Sequence, residues 1–356
     1  MGVSFEFRLV TLKKRYPLAI SRGISSGSNN LFVLARDGDL VGTGEGAAGG
    51  HYSEADIEAS LDRLPAVMTA EVQSQLLQPD GIALTRLASI PGFADLPAPV
   101  RCAVEVSLWD LMAQQAGLPL FQLLGLPRSQ VQSSVTIGLN PSELLRERIP
   151  EILSRTGARS LKIKLGSPEG LDRDREQFSV SAEVAAPFGV KLRVDANGGW
   201  DLNQAIEMID YVAQRGCDYV EQPMLPEEDE FLGDLRDAVS LPIFVDESVQ
   251  TARDVVRLAD HVNGINLKLM KTGGISEALA LVATARACRL KTMIGCMGES
   301  SVAIAAGAAL GSLFDHIDLD SHLNLDPDPA EGLGWDDGRL VPARTPGHGT
   351  RLKANA

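Results

Sequence analysis

The stretch KLRVDANGGW, residues 191–200, decides the predicted fold of this chain. Its first half alternates apolar and basic residues as a strand does. Asp195 and Asn197 follow where two glycines end the extended pattern. A carboxylate at the carboxyl end of a strand, followed by a turn and a helix, is the position from which barrel enzymes perform chemistry. If other strands also end in polar or charged side chains, those side chains would lie together at the same open end of such a barrel.

A regular alternation of strands and helices follows Gly125. Eight strands are predicted, at 134–139, 160–165, 191–195, 218–222, 242–247, 264–269, 291–295 and 316–320. The seven helices between them are expected to begin near Ser142, Gly170, Asp201, Glu228, Thr251, Ile275 and Ser300. The alternation alone would also fit a doubly wound sheet, but an even count of eight favours an α/β fold of the closed, TIM-type (β/α)7β barrel.

Residues 1–125 are predicted to form an α+β capping domain with loops that cover the substrate. Strand-like patterns at 3–13 and 30–46 include a hairpin turn at 36–39, where Asp-Gly supplies the turn residues. A helix is expected after Ser53, and a second one from about residue 98 to 115.

Two further segments complete the predicted organisation. The segment 21–30, SRGISSGSNN, has a composition typical of a solvated loop, and the alternative is a mobile flap over a site. The barrel is assigned to residues 126–322. The tail, 323–356, is rich in Pro, Gly and Asp and is expected to pack back on the capping domain, completing it.

Composition excludes several classes of protein. The 356 residues exceed what one core usually holds, and 44% hydrophobic and 22% charged residues are ordinary for a globular protein. A formal net charge of −14 argues against nucleic acid as a partner. No stretch reaches the roughly 18 apolar residues of a membrane span, so no membrane partner is expected. The four cysteines form no CxxC pair, and the simplest interpretation is that they are reduced thiols in the cytoplasm.

Three carboxylates stand at successive strand ends. Asp195, Glu221 and Asp246 recur at intervals of 26 and 25 residues, as expected if each occupies the same level of its strand. Each acid alone would more often be a solvated loop end or an ion-pair partner. Together at one level, their oxygens would repel one another unless a hard divalent cation lies between them. Mg²⁺ is the default, because three carboxylates leave room for substrate oxygens and water.

Lysines extend the predicted site. Lys162 and Lys164 alternate with apolar residues, so both are expected to point into the barrel, although an outward-facing run is the alternative. Buried cations need anions, and the carboxylates are the available partners. Lys268, four strands further round, would face them across the mouth. Two lysines on opposite sides of a molecule suit proton removal and delivery, with pKa values expected to fall through burial and neighbouring cations.

These motifs resemble the enolase superfamily, in its muconate-lactonising-enzyme-like subgroup, and most closely its dipeptide epimerases. The matching segments are SRG (21–23), GEG (44–46), 107–125, LKIKLG (161–166), RVDANGGWD (193–201), VEQP (220–223), VDES (245–248), NLKLMKTGG (266–274) and GCMGESS (295–301). The match covers nearly the whole chain. Sites of this superfamily combine a Lys or His base with Mg²⁺.

The resemblance implies a role for each strand-end residue. Mg²⁺ would be bound by Asp195, Glu221 and Asp246. Lys164 and Lys268 would be the acid/base pair, and Lys162 would hold the carboxylate or enolate oxygens. Asn197 would support the metal ligands beside it.

The last strand, IDLD, is the most informative about the substrate. Asp318 and Asp320 lie on one face, and in dipeptide epimerases such a pair binds the α-ammonium group of the dipeptide. The alternative is that Asp320 caps the following segment and Asp318 pairs with a lysine. Further substrate contacts are expected from Arg22, Thr136, Cys296, Met297 and Gly298, with Ile24, His51 and Tyr52 near them.

The resulting prediction is a Mg²⁺-dependent dipeptide epimerase that inverts the C-terminal residue of an L,L-dipeptide through an enolate. The alternative within the subgroup is an N-succinylamino-acid racemase, an o-succinylbenzoate synthase or a muconate-type cycloisomerase. From a different class, a catalytically silent barrel used for binding would retain the fold without needing the lysines. A homo-oligomer is expected, although the sequence does not define its size.

Overall fold

The computed structural model describes residues 3–78, 81–342 and 344–354. It begins with an antiparallel sheet of three strands in the order β1-β2-β3. Their bounds are Ser4–Ile20, Gly23–Asp37 and Leu40–Gly46. The predicted Asp-Gly turn joins β2 to β3, and Gly38 has the left-handed φ of 59° that this turn favours.

The segment 21–30 is not a loop, and this prediction is wrong. Only Ser21 and Arg22 lie in the turn, because β2 starts at Gly23 and continues the ladder with β1 in an extended hairpin arm. Ladder hydrogen bonds form regardless of side-chain polarity, so a Ser/Gly/Asn composition does not prevent a strand. At Gly27 a Cβ atom would meet the carbonyl oxygen of Leu12 at 2.3 Å, so the absence of a side chain allows the close approach.

Short helices and one long helix cover this sheet. The remaining elements of the first 125 residues are α1 (Glu54–Val67), α2 (Ala70–Leu76), β4 (Leu77–Gln78), β5 (Gly81–Ile82), α3 (Ala98–Gln115) and α4 (Leu120–Leu123). Ser53 caps α1 as predicted, in a capping box with Asp56. Helix α3 lies directly on β3, where a Cβ atom at Gly44 would meet the carbonyl oxygen of Ala103 at 2.0 Å.

The eight predicted barrel strands are all present. They are β6 (Val135–Ile137), β7 (Ser160–Lys164), β8 (Lys191–Asp195), β9 (Cys217–Glu221), β10 (Ile243–Val245), β11 (Gly264–Leu267), β12 (Lys291–Gly295) and β13 (His316–Asp318). The helices are α5 (Ser142–Thr156), α6 (Leu171–Ala185), α7 (Leu202–Ala213), α8 (Leu232–Ala238), α9 (Ala252–Leu258), α10 (Leu269–Thr272), α11 (Ile275–Ala287) and α12 (Ser301–Ala309). The fourth helix starts later than predicted, because a 3-10 turn, Pro226–Phe231, precedes it.

All eight strands are parallel and follow one another in chain order across the sheet. The two edges meet, since the amide of Ser134 donates to the carbonyl of Ile317 at 2.9 Å and the amide of Leu319 donates to the hydroxyl of Ser133. The predicted (β/α)7β barrel is therefore confirmed. Its parallel strands place all their carboxyl ends at one mouth.

The predicted equal level of the three acids is only partly right. Asp195 is paired with Glu221, so these two do share a level. Glu221 is then paired with Phe244, which places Asp246 two residues further along its strand. Strands of a closed barrel tilt and stagger, so a regular interval in the sequence does not translate into a regular level.

The tail forms two small antiparallel pairs. They are β14 (Ala330–Glu331) with β17 (Arg351–Leu352), and β15 (Gly334–Asp336) with β16 (Arg339–Val341). The amide of Asp326 donates to the carbonyl of Lys13, and Ala330 packs with Phe32 of β2. The indole of Trp335 donates to the carbonyl of Thr156 on the barrel. The tail therefore contacts both the first sheet and the barrel.

Asp110 of α3 anchors this tail. Its buried carboxylate accepts hydrogen bonds from the amides of Thr43 and His348 at 2.9 and 2.7 Å. Asp110→Ala would leave both amides without a partner, and we expect the free energy of unfolding to fall by about 2–4 kcal/mol. Urea titration measures the change. Asp62→Ala on exposed α1 is the control, expected within about 0.5 kcal/mol of the wild type, and an equal loss in both variants would contradict this role.

Two further predictions concern the cysteines and membrane-spanning segments. All four cysteines are free thiols. Within the described ranges, none of the helices has the length and apolar character needed to cross a membrane.

Candidate active site

A cavity of about 440 Å³ opens at the carboxyl ends of the barrel strands. Its floor carries charged side chains of the barrel, including Lys162, Lys164 and Lys268. Its rim is formed by the hairpin arm of β1 and β2 and by the segment 296–298. The cavity therefore gathers most of the predicted site residues from eight separate parts of the chain.

Both lysines of the KxK motif point into the barrel, as predicted. Lys164 and Lys162 are 7% and 3% exposed. The Nζ atom of Lys164 lies 2.5 Å from Oδ2 of Asp195. The Nζ atom of Lys162 lies 3.3 Å from Glu221 and 3.6 Å from Asp195, and it forms its shortest ion pair with Asp318. These buried cations are stabilised by the carboxylates that the sequence placed near them.

Lys268 has a carboxylate partner of its own, and a second lysine shares it. Nζ of Lys268 donates to Oδ2 of Asp246 at 2.7 Å. Lys271, on α10, donates to Oδ1 of Asp246 at 2.6 Å and to the backbone carbonyls of Asp246 and Asn266. Sequence reasoning missed Lys271. The signal available was a second lysine, one helical turn beyond Lys268 in NLKLMKTGG.

The pKa values of Lys162 and Lys268 are raised, opposite to the predicted direction. Burial lowers the pKa of Lys162, but the carboxylates of Asp318 and Glu221 outweigh burial and hold it well above its usual value. Burial of Lys268 is likewise outweighed, chiefly by Asp246, so its pKa is raised. The expected lowering is therefore wrong for these two lysines, because anions and not cations are their nearest neighbours. A lysine can become a base here only when another cation takes up the charge of its carboxylate partner.

The three acids fit a hard divalent cation by their chemistry and charge. Asp195, Glu221 and Asp246 are at most 1% exposed. Burial, together with Asp195 and Asp246, raises the pKa of Glu221 to about 7, so the three carboxylates lie within one another's fields. Each of the three carboxylates forms an ion pair with a lysine. In the part of the chain that the structure describes, no group of three His, Cys, Asp or Glu side chains is close enough together to hold a metal ion. Carboxylate oxygens are the donors that Mg²⁺ prefers, and the ligand set stays a prediction.

Two residues in the left-handed region hold the acids in place. Asn197, at φ 46°, donates its amide to Oδ1 of Asp195 at 2.9 Å, consistent with the predicted supporting role. Gln222, at φ 35°, accepts the amide of Asp246 at 2.8 Å and donates to the hydroxyl of Ser248. Non-glycine residues with such backbone strain concentrate at functional sites. Gln222 was missed, although it directly follows Glu221 in VEQP.

The Asp-x-Asp pair shows features of both interpretations. Asp318 pairs with Lys162, as the alternative expected, yet its Oδ1 is buried with no hydrogen-bond partner among the described residues. Asp320 makes no side-chain cap; its Oδ2 accepts the amide of Thr136 at 2.6 Å. Burial and Asp318 raise the pKa of Asp320 to about 7. Both acids line the cavity, where an ammonium group would relieve their repulsion.

The hairpin arm reaches across the mouth and is held at its tip. The guanidinium of Arg22 donates to Oε1 of Glu247 at 2.6 Å and to the carbonyl of Asn197 at 3.0 Å. Ser21 donates to the same carbonyl. Ile24, 75% exposed, stands at the rim. Arg22 therefore lines the cavity with its charge already paired to the barrel.

The remaining predicted contacts are distributed around the rim. Cavity-lining residues include Thr136, Cys296, Met297, Gly298 and, from the second glycine-rich segment, Gly49 and Gly50. His51 and Tyr52, which follow these glycines, do not line the cavity. A Cβ atom at Gly49 would meet the sulfur of Met297 at 2.5 Å, so this glycine leaves the space that the methionine fills.

A parallel barrel with buried lysines and carboxylates at its mouth is a barrel enzyme equipped to move protons. The chain belongs to the enolase superfamily. Residues 144–356 match the family described as "Enolase C-terminal domain-like", and residues 5–125 match "Mandelate racemase / muconate lactonizing enzyme, N-terminal domain".

Similar proteins share nearly the full length of the chain. A "Hydrophobic dipeptide epimerase" of Roseobacter litoralis is 49% identical over 350 residues, which cover 97% of each chain. The solved structure of a dipeptide epimerase from Methylococcus capsulatus, complexed with Mg and L-Arg-D-Lys, is 31% identical with a TM-score of 0.86, covering 99% of this chain and 100% of that one. The one from Enterococcus faecalis, complexed with Mg and L-Leu-L-Tyr, is 28% identical with a TM-score of 0.86, covering 98% and 99%.

Proposed function

We propose that this chain is a Mg²⁺-dependent dipeptide epimerase, an isomerase that inverts the C-terminal residue of an L,L-dipeptide by 1,1-proton transfer. The observation that carries the proposal is the pair of Asp318, which is buried, and Asp320, which is partly buried; both line the same cavity as Lys164 and Lys268. The dipeptide epimerases among the relatives support it. An amine-binding pair beside an acid/base pair is what a free dipeptide requires, whereas an N-succinyl substrate carries no α-ammonium group.

The acids Asp195, Glu221 and Asp246 would hold Mg²⁺. When bound, the ion supplies positive charge that stabilises the negative charge developing on the substrate carboxylate. Lys162 adds a fixed ammonium from the barrel floor, directed at the same region. An α-proton beside a carboxylate can leave only if the resulting enolate charge is already compensated, and this cluster of cations provides that compensation.

Lys164 and Lys268 carry out the proton transfer. Lys164 ends β7 and Lys268 follows β11, four strands further round the barrel. Each contacts a different carboxylate, Asp195 or Asp246, and both line the cavity. One lysine removes the α-proton from one face of the substrate, and the other delivers a proton to the opposite face, which inverts the configuration.

The rim favours substrates with apolar side chains. Several apolar residues of the cavity wall belong to the hairpin arm and the loops beside it: Leu18, Ile20, Ile24, Ala48 and Met297. The charge of Arg22 is taken up by Glu247 and is not left free for an acidic side chain. The name of the Roseobacter litoralis relative, hydrophobic dipeptide epimerase, agrees with this preference.

The organisation of the chain is part of the proposal. We place the capping domain at 1–125, the barrel at 126–322 and the segment completing the cap at 323–356. A cytoplasmic homo-oligomer acting on a small molecule, without nucleic acid or membrane partners, fits the acidic composition and the free thiols.

Incubation with pools of L,L-dipeptides in deuterated water tests the function directly. We expect a mass gain of one in dipeptides with apolar side chains, because the returning proton comes from solvent. EDTA should abolish the gain and added Mg²⁺ should restore it. A gain with N-succinylamino acids and none with any dipeptide would refute the proposal in favour of the racemase alternative.

A further inference from the structure

Asn30 lies behind the cavity wall without touching the cavity. It is in β2 and fully buried. Its Nδ2 atom donates to Oε1 of Glu45 and to the carbonyl of Gly298, both at 2.7 Å. Gly298 itself lines the cavity. A side chain of the first sheet therefore holds a wall residue of the barrel cavity from the side opposite to the substrate.

The hydrogen bonds of Asn30 specify a primary amide. Both hydrogens of the single Nδ2 atom are used, one for each acceptor, whereas Oδ1 is buried and has no partner among the described residues. A flipped amide would turn Oδ1 towards two acceptors, the Glu45 carboxylate and the Gly298 carbonyl. Aspartate in this position would do the same. The unpartnered oxygen is thus the consequence of serving two acceptors with one nitrogen.

Glu45 makes this attachment rigid. Its buried carboxylate accepts the amide and hydroxyl of Ser300 at 2.9 and 2.6 Å and the amide of Ala303 at 3.1 Å. It thereby caps the start of α12, although it belongs to β3 of the first sheet. The wall segment 296–298 lies immediately before this helix. Its C-terminal end is consequently held twice, by Asn30 at Gly298 and by Glu45 at the start of the helix.

We propose that Asn30 is a positioning residue that sets the wall segment 296–298 and thereby the affinity for the dipeptide. This inference rests on the proposed function. The reacting lysines belong to other parts of the barrel and make no contact with Asn30. Lys268 meets the wall at Met297, where Nζ lies 3.9 Å from the sulfur, but its 2.7 Å hydrogen bond to Asp246 is the shorter one, so a shift of the wall should move it little. Loss of the Asn30 bonds should weaken binding of the substrate more than it slows the proton transfer.

Asn30→Ala tests this role through a split between KM and kcat. We expect KM for an apolar dipeptide to rise about tenfold, because the buried hydrogen bonds of Nδ2 to Gly298 and Glu45 are lost, with kcat within about threefold of the wild type. Asn29→Ala is the matched control, because Asn29 is the neighbouring asparagine on the same strand and its side chain, among the described residues, bonds only to Thr11 and Glu58. If Asn30→Ala does not fold, the same measurement is made with Asn30→Ser, which retains one hydrogen-bond donor.

Hydrogen–deuterium exchange of the backbone amides provides a readout that needs no substrate. We expect faster exchange in residues 296–300 of the Asn30 variant and not of the Asn29 variant. A normal KM with unchanged exchange would overturn the proposal, and so would an equal rise of KM in both variants. If the wild type turns over no dipeptide, the proposed function fails, while the exchange experiment still decides whether Asn30 holds the wall.

Discussion

Lys268→Ala should abolish inversion of the dipeptide, lowering the rate by at least about 10³-fold. Lys268, just after β11, serves only one face of the substrate, so Lys164 on the opposite face remains active. One of the two epimers presents its α-hydrogen to Lys164. That epimer should still exchange hydrogen with deuterated water without inverting, whereas the other epimer should not exchange at all.

Lys164→Ala should give the complementary result, with exchange limited to the other epimer. Proton NMR of each purified epimer in deuterated water measures both variants. Lys291→Ala is the control, since this lysine is at the far end of β12, is 65% exposed in its side chain and pairs with Asp315. Exchange of both epimers in either active-site variant would show that the two lysines do not divide the faces of the substrate.

Asp320→Asn should remove the preference for a free amine. The wild type should use a free dipeptide about 10²-fold better in kcat/KM than its N-acetyl derivative, because the α-ammonium group is bound by the two carboxylates at the cavity wall. Asparagine retains the size of Asp320 and can still accept the amide of Thr136, but it lacks the charge. In the variant, kcat/KM for the free dipeptide should therefore fall to the wild-type value for the N-acetyl derivative.

Asp318→Asn is expected to lower kcat/KM for the free dipeptide further than Asp320→Asn does, because it also removes the ion pair with Lys162. A comparison of the two variants separates amine binding from support of Lys162. Asp315→Asn, just before β13 and in contact with the exposed Lys291, is the matched control and should keep the wild-type preference. If Asp320→Asn retains a strong preference for the free dipeptide, the ammonium group is bound elsewhere and the dipeptide assignment loses its main support.

The barrel could be predicted because its signals are local. Each strand alternates residues between its two faces, and each is followed by a helix with its own start signal, such as the capping box at Asp201. Parallel strands connected by helices place all their carboxyl ends on one side. The position of Asp195 at the end of β8 and the inward direction of Lys162 and Lys164 followed from these rules.

The errors concern features that depend on the surroundings of a residue. Residues 21–30 extend the hairpin arm because β1 offers ladder partners along its length, a fact that composition does not contain. The pKa of Lys268 is raised because Asp246 lies 2.7 Å away. Lys271 and Gln222 were missed because their places in the two motifs do not show that both side chains reach Asp246.

KLRVDANGGW and the Asp201 that follows it determined that Asp195 ends a strand and that a helix begins after Asp201, because strand periodicity and helix capping act over a few residues. Only the tertiary structure decided which charges meet: Asp195 with Lys164, Asp246 with Lys268 and Lys271, and Asp318 with Lys162. These partners come from different strands and helices, and their pairing depends on the stagger of the closed barrel. Electrostatic energy depends on distance in space, which is set only when the strands close.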